Sequence, residues 1–212
     1  MDLALGLVLA PVLLPLVLAL ALAVRLDSPG PAFFVQERLG QGGRRFKLYK
    51  LRSMRQDADE DAHRQRVARL LGEAGRGQAW GPAAADPRVT RLGRFLRRWG
   101  LDELPQLYNV LRGDMSLVGP RPALPYEAEL WEPWHRQRLS ARPGLTGLWQ
   151  VEGRAAGGGR QAAVDFDGMV RLDLDYLRRR SLTLDLSILA RTPAALWRRR
   201  SAGGLPRARS IT

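Results

Sequence analysis

Leu101-Asp-Glu-Leu-Pro-Gln-Leu-Tyr-Asn-Val-Leu-Arg-Gly-Asp-Met-Ser-Leu-Val-Gly-Pro-Arg-Pro122 carries an acidic pair at one end and a proline-flanked arginine at the other, within a strongly basic chain. Gly100 closes the preceding helical pattern, and Leu104, Leu107, Tyr108 and Leu111 recur at helical spacing, so Asp102 is predicted to be the N-cap of a new helix. Pro105 is tolerated in the first turn, where backbone N–H groups have no intrahelical partner. An acid at such a position is usually a cap and nothing more. Here the helix dipole and neighbouring arginines would hold the carboxylate ionised, as an oxygen nucleophile. Attack on phosphorus would give an acyl phosphate and divide one transfer into two steps. Mg²⁺ suits such a site, because it is hard and bridges phosphate oxygens. Glu103 could bind that ion, position it or act as an acid–base group, and the residues alone leave the three roles open.

Upstream of the motif, Leu92, Phe95, Leu96 and Trp99 fall on one face of a short helix and Arg91, Arg94, Arg97 and Arg98 on the other. Asp185 to Arg200 repeats the pattern, with Leu186, Leu189, Leu196 and Trp197 on the apolar side and Arg198, Arg199 and Arg200 at the end. Both suit a membrane interface as well as a soluble core. Phe33 to Lys50 reads as a β-hairpin turning at Gly40-Gln-Gly-Gly43, which lacks the G-x-x-x-x-G-K-[ST] pattern of a phosphate loop. Asp57 to Glu73 reads as a charged helix, Ala74 to Asp86 as a mobile loop, and the chain after Ser201 as a frayed tail.

Leu3 to Val24 holds no charged residue and is long enough to cross the hydrocarbon core of a bilayer. Pro11 and Pro15 interrupt it, so the segment is either a kinked span or one that turns back near Pro15. Composition alone favours the span. Positive charge follows it at Arg25, Arg38, Arg44, Arg45, Lys47, Lys50 and Arg52, which places the remainder on the cytoplasmic side.

The 212 residues suffice for one catalytic unit, and the 34 Lys plus Arg against 21 Asp plus Glu give a net charge of +13. The partners are therefore anionic: nucleic acid, acidic headgroups or phosphorylated metabolites. Cysteine is absent, which excludes disulfides, thiolate zinc sites and a thiol nucleophile. His63 and His135, the two histidines, are too far apart for a local metal motif.

These residues together resemble the bacterial polyprenyl-phosphate sugar-1-phosphate transferases, the monotopic phosphoglycosyl transferases. The likeness runs through Arg25-Leu-Asp-Ser-Pro-Gly-Pro31, Gln36-Glu-Arg38, Tyr49-Lys-Leu-Arg-Ser-Met54, Asp86-Pro-Arg-Val-Thr90, Leu101 to Pro122, Arg142-Pro-Gly-Leu-Thr-Gly-Leu-Trp-Gln150 and Asp173 to Thr192. It implies transfer of a sugar 1-phosphate from a UDP-sugar to polyprenyl (undecaprenyl) phosphate, with release of UMP, as the first membrane step of glycan assembly. It makes Asp102 the nucleophile and Glu103 its partner with Mg²⁺, and it assigns phosphate contacts to Lys50 and Arg121. Arg97 and Arg142 are further candidates for anion contacts. A re-entrant membrane helix broken at Pro15 is implied too, although Leu14 stands where the family pattern has Ser and no basic pair precedes Asp2. The two departures weaken the expectation of re-entry and raise a truncated start as an alternative.

The expected architecture is α+β and mainly helical. A re-entrant helix occupies residues 1–26, a membrane-associated catalytic domain with a small β-hairpin and interfacial amphipathic helices occupies 27–200, and a flexible tail occupies 201–212. The expected location is the cytoplasmic membrane, monotopic, with the catalytic domain on the cytoplasmic face, membrane lipids as partners and no nucleic acid. The competing reading from charge alone is a membrane-anchored basic protein without chemistry. A third, an inactive family member acting as a scaffold, is opposed by the intact acidic pair.

Overall fold

The computed structural model describes residues 1–55, 61–72, 78, 80, 86–152 and 164–202, with the side chains of 62 and 198–202 left aside. The start of the expected helix at Asp57, most of the loop from Ala74, and the tail from 203 lie outside the described residues. Helix α1 (Asp2–Asp27) is followed by β1 (Phe33–Leu39), β2 (Arg45–Leu51), α2 (Asp61–Leu71), α3 (Arg91–Trp99), α4 (Gln106–Arg112), β3 (Ser116–Val118), α5 (Pro125–Glu129), β4 (Gly144–Thr146), α6 (Leu148–Glu152), α7 (Phe166–Arg179) and α8 (Leu182–Ala202). The chain is mostly helical, with one apolar N-terminal helix.

Strands β1 and β2 form the expected antiparallel hairpin, in a register that sets Phe34 opposite Lys50 and Gln36 opposite Leu48. Gly42 and Gly43 take positive φ at the turn, as the glycine run requires. A second pair, β3 beside β4 in parallel, was not expected. Each strand has three residues, too few for an alternating pattern to register. The pairing depends on backbone contact: a Cβ on Gly144 would lie 2.0 Å from the Gly119 nitrogen, and one on Gly147 2.3 Å from its carbonyl oxygen.

Helical turns continue in α1 through Pro11 and Pro15. The helix is long and apolar enough to cross a membrane, and only 11% of its most apolar stretch is buried inside the protein. Both of its ends nevertheless rest on the rest of the chain. Near the start, Gly6 abuts Leu111 and Leu107, and Asp2 accepts the Leu117 amide hydrogen at 3.4 Å. Near the end, Ala21 and Val24 are buried with Ala32, Leu51 and Leu96. The Arg52 guanidinium caps that end, donating to the carbonyls of Pro29, Ser28 and Val24.

Helix α3 turns Leu96 and Gly93 inward and leaves Phe95 and Trp99 exposed. Helix α8 buries Asp185, Ile188 and Ala195, while Leu186 and Trp197 of its expected apolar side point outward. The outward Trp197 meets Trp99 edge to face at 6.1 Å, and Trp99 lies 6.3 Å from Phe95.

Candidate active site

Asp102 departs from its expected setting. It lies inside a 3₁₀ turn, Leu101–Glu103, that begins at left-handed Gly100. Pro105, not Asp102, stands at the N-cap of α4. The tighter turn reaches α4 through bonds from the Leu107 amide to Leu104 and from the Tyr108 amide to Pro105. Asp102 is 8% exposed and, with Glu103, lines a cleft of about 620 Å³.

The hairpin brings cations to this pair. Lys50 on β2 donates to Glu103 Oε1 at 3.4 Å. Its strand is fixed to α4 by Asn109, fully buried, which accepts from the Tyr49 amide at 3.2 Å and donates to the Lys47 carbonyl at 2.7 Å. Arg97 lines the same cleft from α3 and donates through Nε to Ser53 Oγ at 2.8 Å. Its helix can approach because residue 93 is glycine: a Cβ there would lie 2.0 Å from the Ser53 carbonyl oxygen.

Arg121 stands in the cleft wall over Glu127, donating to Oε2 at 3.3 Å, with its guanidinium 5.9 Å from the Trp80 ring centre. Glu127 is completely buried and also accepts the Leu124 amide hydrogen at 3.1 Å. Burial acts to raise the Glu127 pKa, but the charges of Arg121 and Arg38 outweigh it and hold the carboxyl below its ordinary range. Arg38, also in the cleft wall, donates to the Pro122 carbonyl at 3.1 Å and to Gln36 at 2.7 Å. Burial, helped by Arg121, lowers its pKa to about 10, so it stays protonated at neutral pH. The cleft can therefore hold a phosphorylated ligand against a carboxylate pair.

The model of the family described as bacterial sugar transferase matches residues 1–199. The chain belongs to the bacterial sugar transferase family. It is 43% identical over 178 residues to the UDP-glucose:undecaprenyl-phosphate glucose-1-phosphate transferase of Caulobacter vibrioides, covering 82% of this chain and 59% of that one. It is 42% identical over 168 residues to the galactosyl transferase CpsE of Streptococcus agalactiae, covering 77% of this chain and 34% of that relative. The exopolysaccharide production protein ExoY of Rhizobium meliloti is 38% identical over 184 residues, covering 82% and 73%. The first two relatives are thus much longer than the matched region.

Within this sugar transferase chain, Lys50, Arg97, Asp102, Glu103 and Arg121 line one cleft. Arg142 is set apart: its side chain is exposed and outside the cleft lining. Its backbone is what matters to the fold, since its carbonyl oxygen would lie 2.6 Å from a Cβ on Gly119. Sequence reasoning passed over Asn109, Glu127 and Arg38 as site residues. Asn109 sits inside the helical pattern as an ordinary polar residue would. Glu127 offered one signal, an acid three residues into a Leu-Pro helix start, a position that bonds back to the backbone.

Proposed function

We propose that this chain transfers a sugar 1-phosphate from a UDP-sugar to polyprenyl phosphate, with undecaprenyl phosphate as the acceptor named for its relatives. The observation that carries the reading is the Asp102–Glu103 pair in a cleft walled by Lys50, Arg97 and Arg121. An Asp102 carboxylate oxygen attacks the sugar-bearing phosphorus, the bond from that phosphorus to the bridging oxygen breaks, and UMP leaves with the electron pair. A phosphate oxygen of the polyprenyl phosphate then attacks the same phosphorus, breaks its bond to Asp102 and regenerates the carboxylate. The product is a polyprenyl diphosphate sugar, the start of a glycan in exopolysaccharide or related assembly. Guanidinium and ammonium groups along the cleft offset the phosphate charge during both steps.

The donor set suits Mg²⁺. No group of three or more Asp, Glu, His or Cys side chains converges among the described residues, and Mg²⁺ ordinarily takes one or two carboxylates with water and substrate phosphate completing its ligands. Asp102 and Glu103 would hold it, and it would supply charge neutralisation at the phosphate oxygens. Lys50 holds Glu103 toward the cleft meanwhile.

The membrane reading is monotopic, with the catalytic domain on the cytoplasmic face. What supports it is that Asp2 and Gly6 at one end of α1, and Val24 at the other, meet the same body of protein. A helix carrying its start to the far leaflet would lose the first set of contacts. In this reading α1 enters and leaves one leaflet near Pro15, while Phe95, Trp99 and Trp197 lie at headgroup depth.

The test is UMP release from a UDP-sugar by purified protein with Mg²⁺ and undecaprenyl phosphate. Asp102→Asn is expected to abolish release. An Asp102→Asn variant as active as the parent overturns the role given to Asp102.

A further inference from the structure

The hairpin supplies one wall of the cleft. Phe34, Arg38, Lys50, Asp102, Glu103 and Arg121 all contribute to the lining. The register places part of this set. Phe34, Gln36 and Arg38 alternate onto one face of β1, and Phe34 lies directly opposite Lys50, so the two side chains leave the hairpin on the same side. Phe34 is 41% exposed, an aromatic face presented beside a charged group. This end of the hairpin also lies next to the end of α1. Arg52 one strand position beyond the Lys50–Leu51 pair bonds the Ser28 and Pro29 carbonyls, and Leu51, paired with Phe33, is buried with Val24.

We infer that Phe34 forms the subsite for the first isoprene units of the lipid acceptor, whose phosphate is held at Lys50. This rests on the function proposed above. The occupant follows from three features together: an exposed aromatic side chain lining the cleft, a cation directly opposite it on the hairpin, and, beside the same end of the hairpin, helix α1 with Leu18, Leu22 and Leu26 exposed. A ligand that is apolar at one end, anionic at the other and delivered from a bilayer fits all three. The nucleotide sugar, polar throughout, is left the wall lined by Arg38, Arg121 and Trp80.

The experiment separates the two half-reactions. Wild-type protein, Phe34→Ser and Phe34→Leu are each mixed with radiolabelled UDP-sugar alone, to read the stoichiometric burst of UMP, and then with undecaprenyl phosphate over a range of concentrations. Removing an aromatic contact with an isoprene unit is expected to raise the acceptor KM of Phe34→Ser by about tenfold, with Phe34→Leu close to wild type. The burst and the donor KM are expected to stay within about twofold, because the apolar contact is made only with the acceptor. With a water-soluble short-chain prenyl phosphate, which carries the first isoprene units without the long tail, the difference between Phe34→Ser and wild type is expected to persist. A raised donor KM in Phe34→Ser, pointing to a stacked nucleobase instead, overturns the inference, as does an unchanged acceptor KM. A wild-type protein with no UMP burst overturns the proposed function itself, so the two failures are told apart.

Discussion

Asn109 accepts the backbone amide hydrogen of Tyr49 through Oδ1 at 3.2 Å, so the helix after the acidic pair is bonded to the residue next to Lys50. The same side chain donates to the Lys47 carbonyl. One amide thus spaces the two halves of the candidate site, Lys50 on the strand and Glu103 on the turn. Asn109→Ala would strand both backbone groups and is expected to cost about 1–3 kcal/mol. It should also lower UMP release more than a remote substitution of equal thermal cost. Thermal unfolding and activity measured together check this, and Asn109→Asp, which keeps the acceptor but not the donor, should not rescue it.

Glu127 is the buried counter-charge of the cleft wall. Glu127→Gln removes a carboxylate from between Arg38 and Arg121, leaving buried positive charge uncompensated, and is expected to destabilise the protein by about 3–5 kcal/mol. The sign of the pH dependence follows from the depressed pKa of this group. Its stabilisation is complete above the ordinary glutamate pKa and is lost as pH falls through the lower, folded value. Denaturant midpoints taken downward from pH 5 should therefore fall more steeply for wild type than for Glu127→Gln.

Residue 93 is a third point of control, acting through shape. The Ser53 carbonyl lies where a Cβ would go, so Gly93→Ala must lift α3 from the end of β2. Overpacking of this kind costs about 1–3 kcal/mol. The lift also draws Arg97 from Ser53, so the donor KM is expected to rise beyond what the stability loss explains. A Gly93→Ala protein with an unchanged melting point and donor KM would contradict the close approach.

Much of this was legible in the chain. The hairpin followed from alternation around a glycine turn, α3 from its apolar face, and the acidic pair at Asp102 and Glu103 from its motif, while Lys50 and Arg121, which line the same cleft, were singled out only by the family resemblance. What the sequence hid were relations between distant segments. Nothing local tells that Asn109 reaches Tyr49, that Glu127 lies under Arg121, or that the glycines at 119, 144 and 147 bring two three-residue strands into register. Periodicity reports an apolar face and not what covers it, so it left open that Asp185, Ile188 and Ala195 are the buried positions of α8. Capping statistics favoured Asp102 as a cap, whereas left-handed Gly100 starts a tighter turn one residue earlier.

Arg52 ties the apolar helix α1 to the hairpin through geometry that Lys cannot reproduce. Its guanidinium bonds three carbonyls at the end of α1, where the helix dipole also favours positive charge. Arg52→Lys is expected to protect the backbone of residues 24–31 from hydrogen exchange only partly, and Arg52→Ala hardly at all. Exchange read by mass spectrometry in detergent or nanodiscs checks it, and equal protection in all three proteins would show that the cap is dispensable.

The placement of both α1 ends on one body of protein makes a topological expectation that is unusually clean to test, because the chain holds no cysteine. A cysteine placed in a short polar extension ahead of Met1 and another at Arg45, exposed in the hairpin, should react alike with a membrane-impermeant maleimide. Both should label in inverted vesicles and neither in intact spheroplasts. A spanning α1 would instead leave the extension reactive from outside and Arg45→Cys from inside. Asp2→Ala removes the bond from Asp2 to the Leu117 amide, and if that contact helps return the N-terminus, labelling of the extension in that variant should become mixed. Opposite-sided labelling in the unmodified background would require the Asp2 and Gly6 contacts to be absent in the bilayer, and would overturn the monotopic reading.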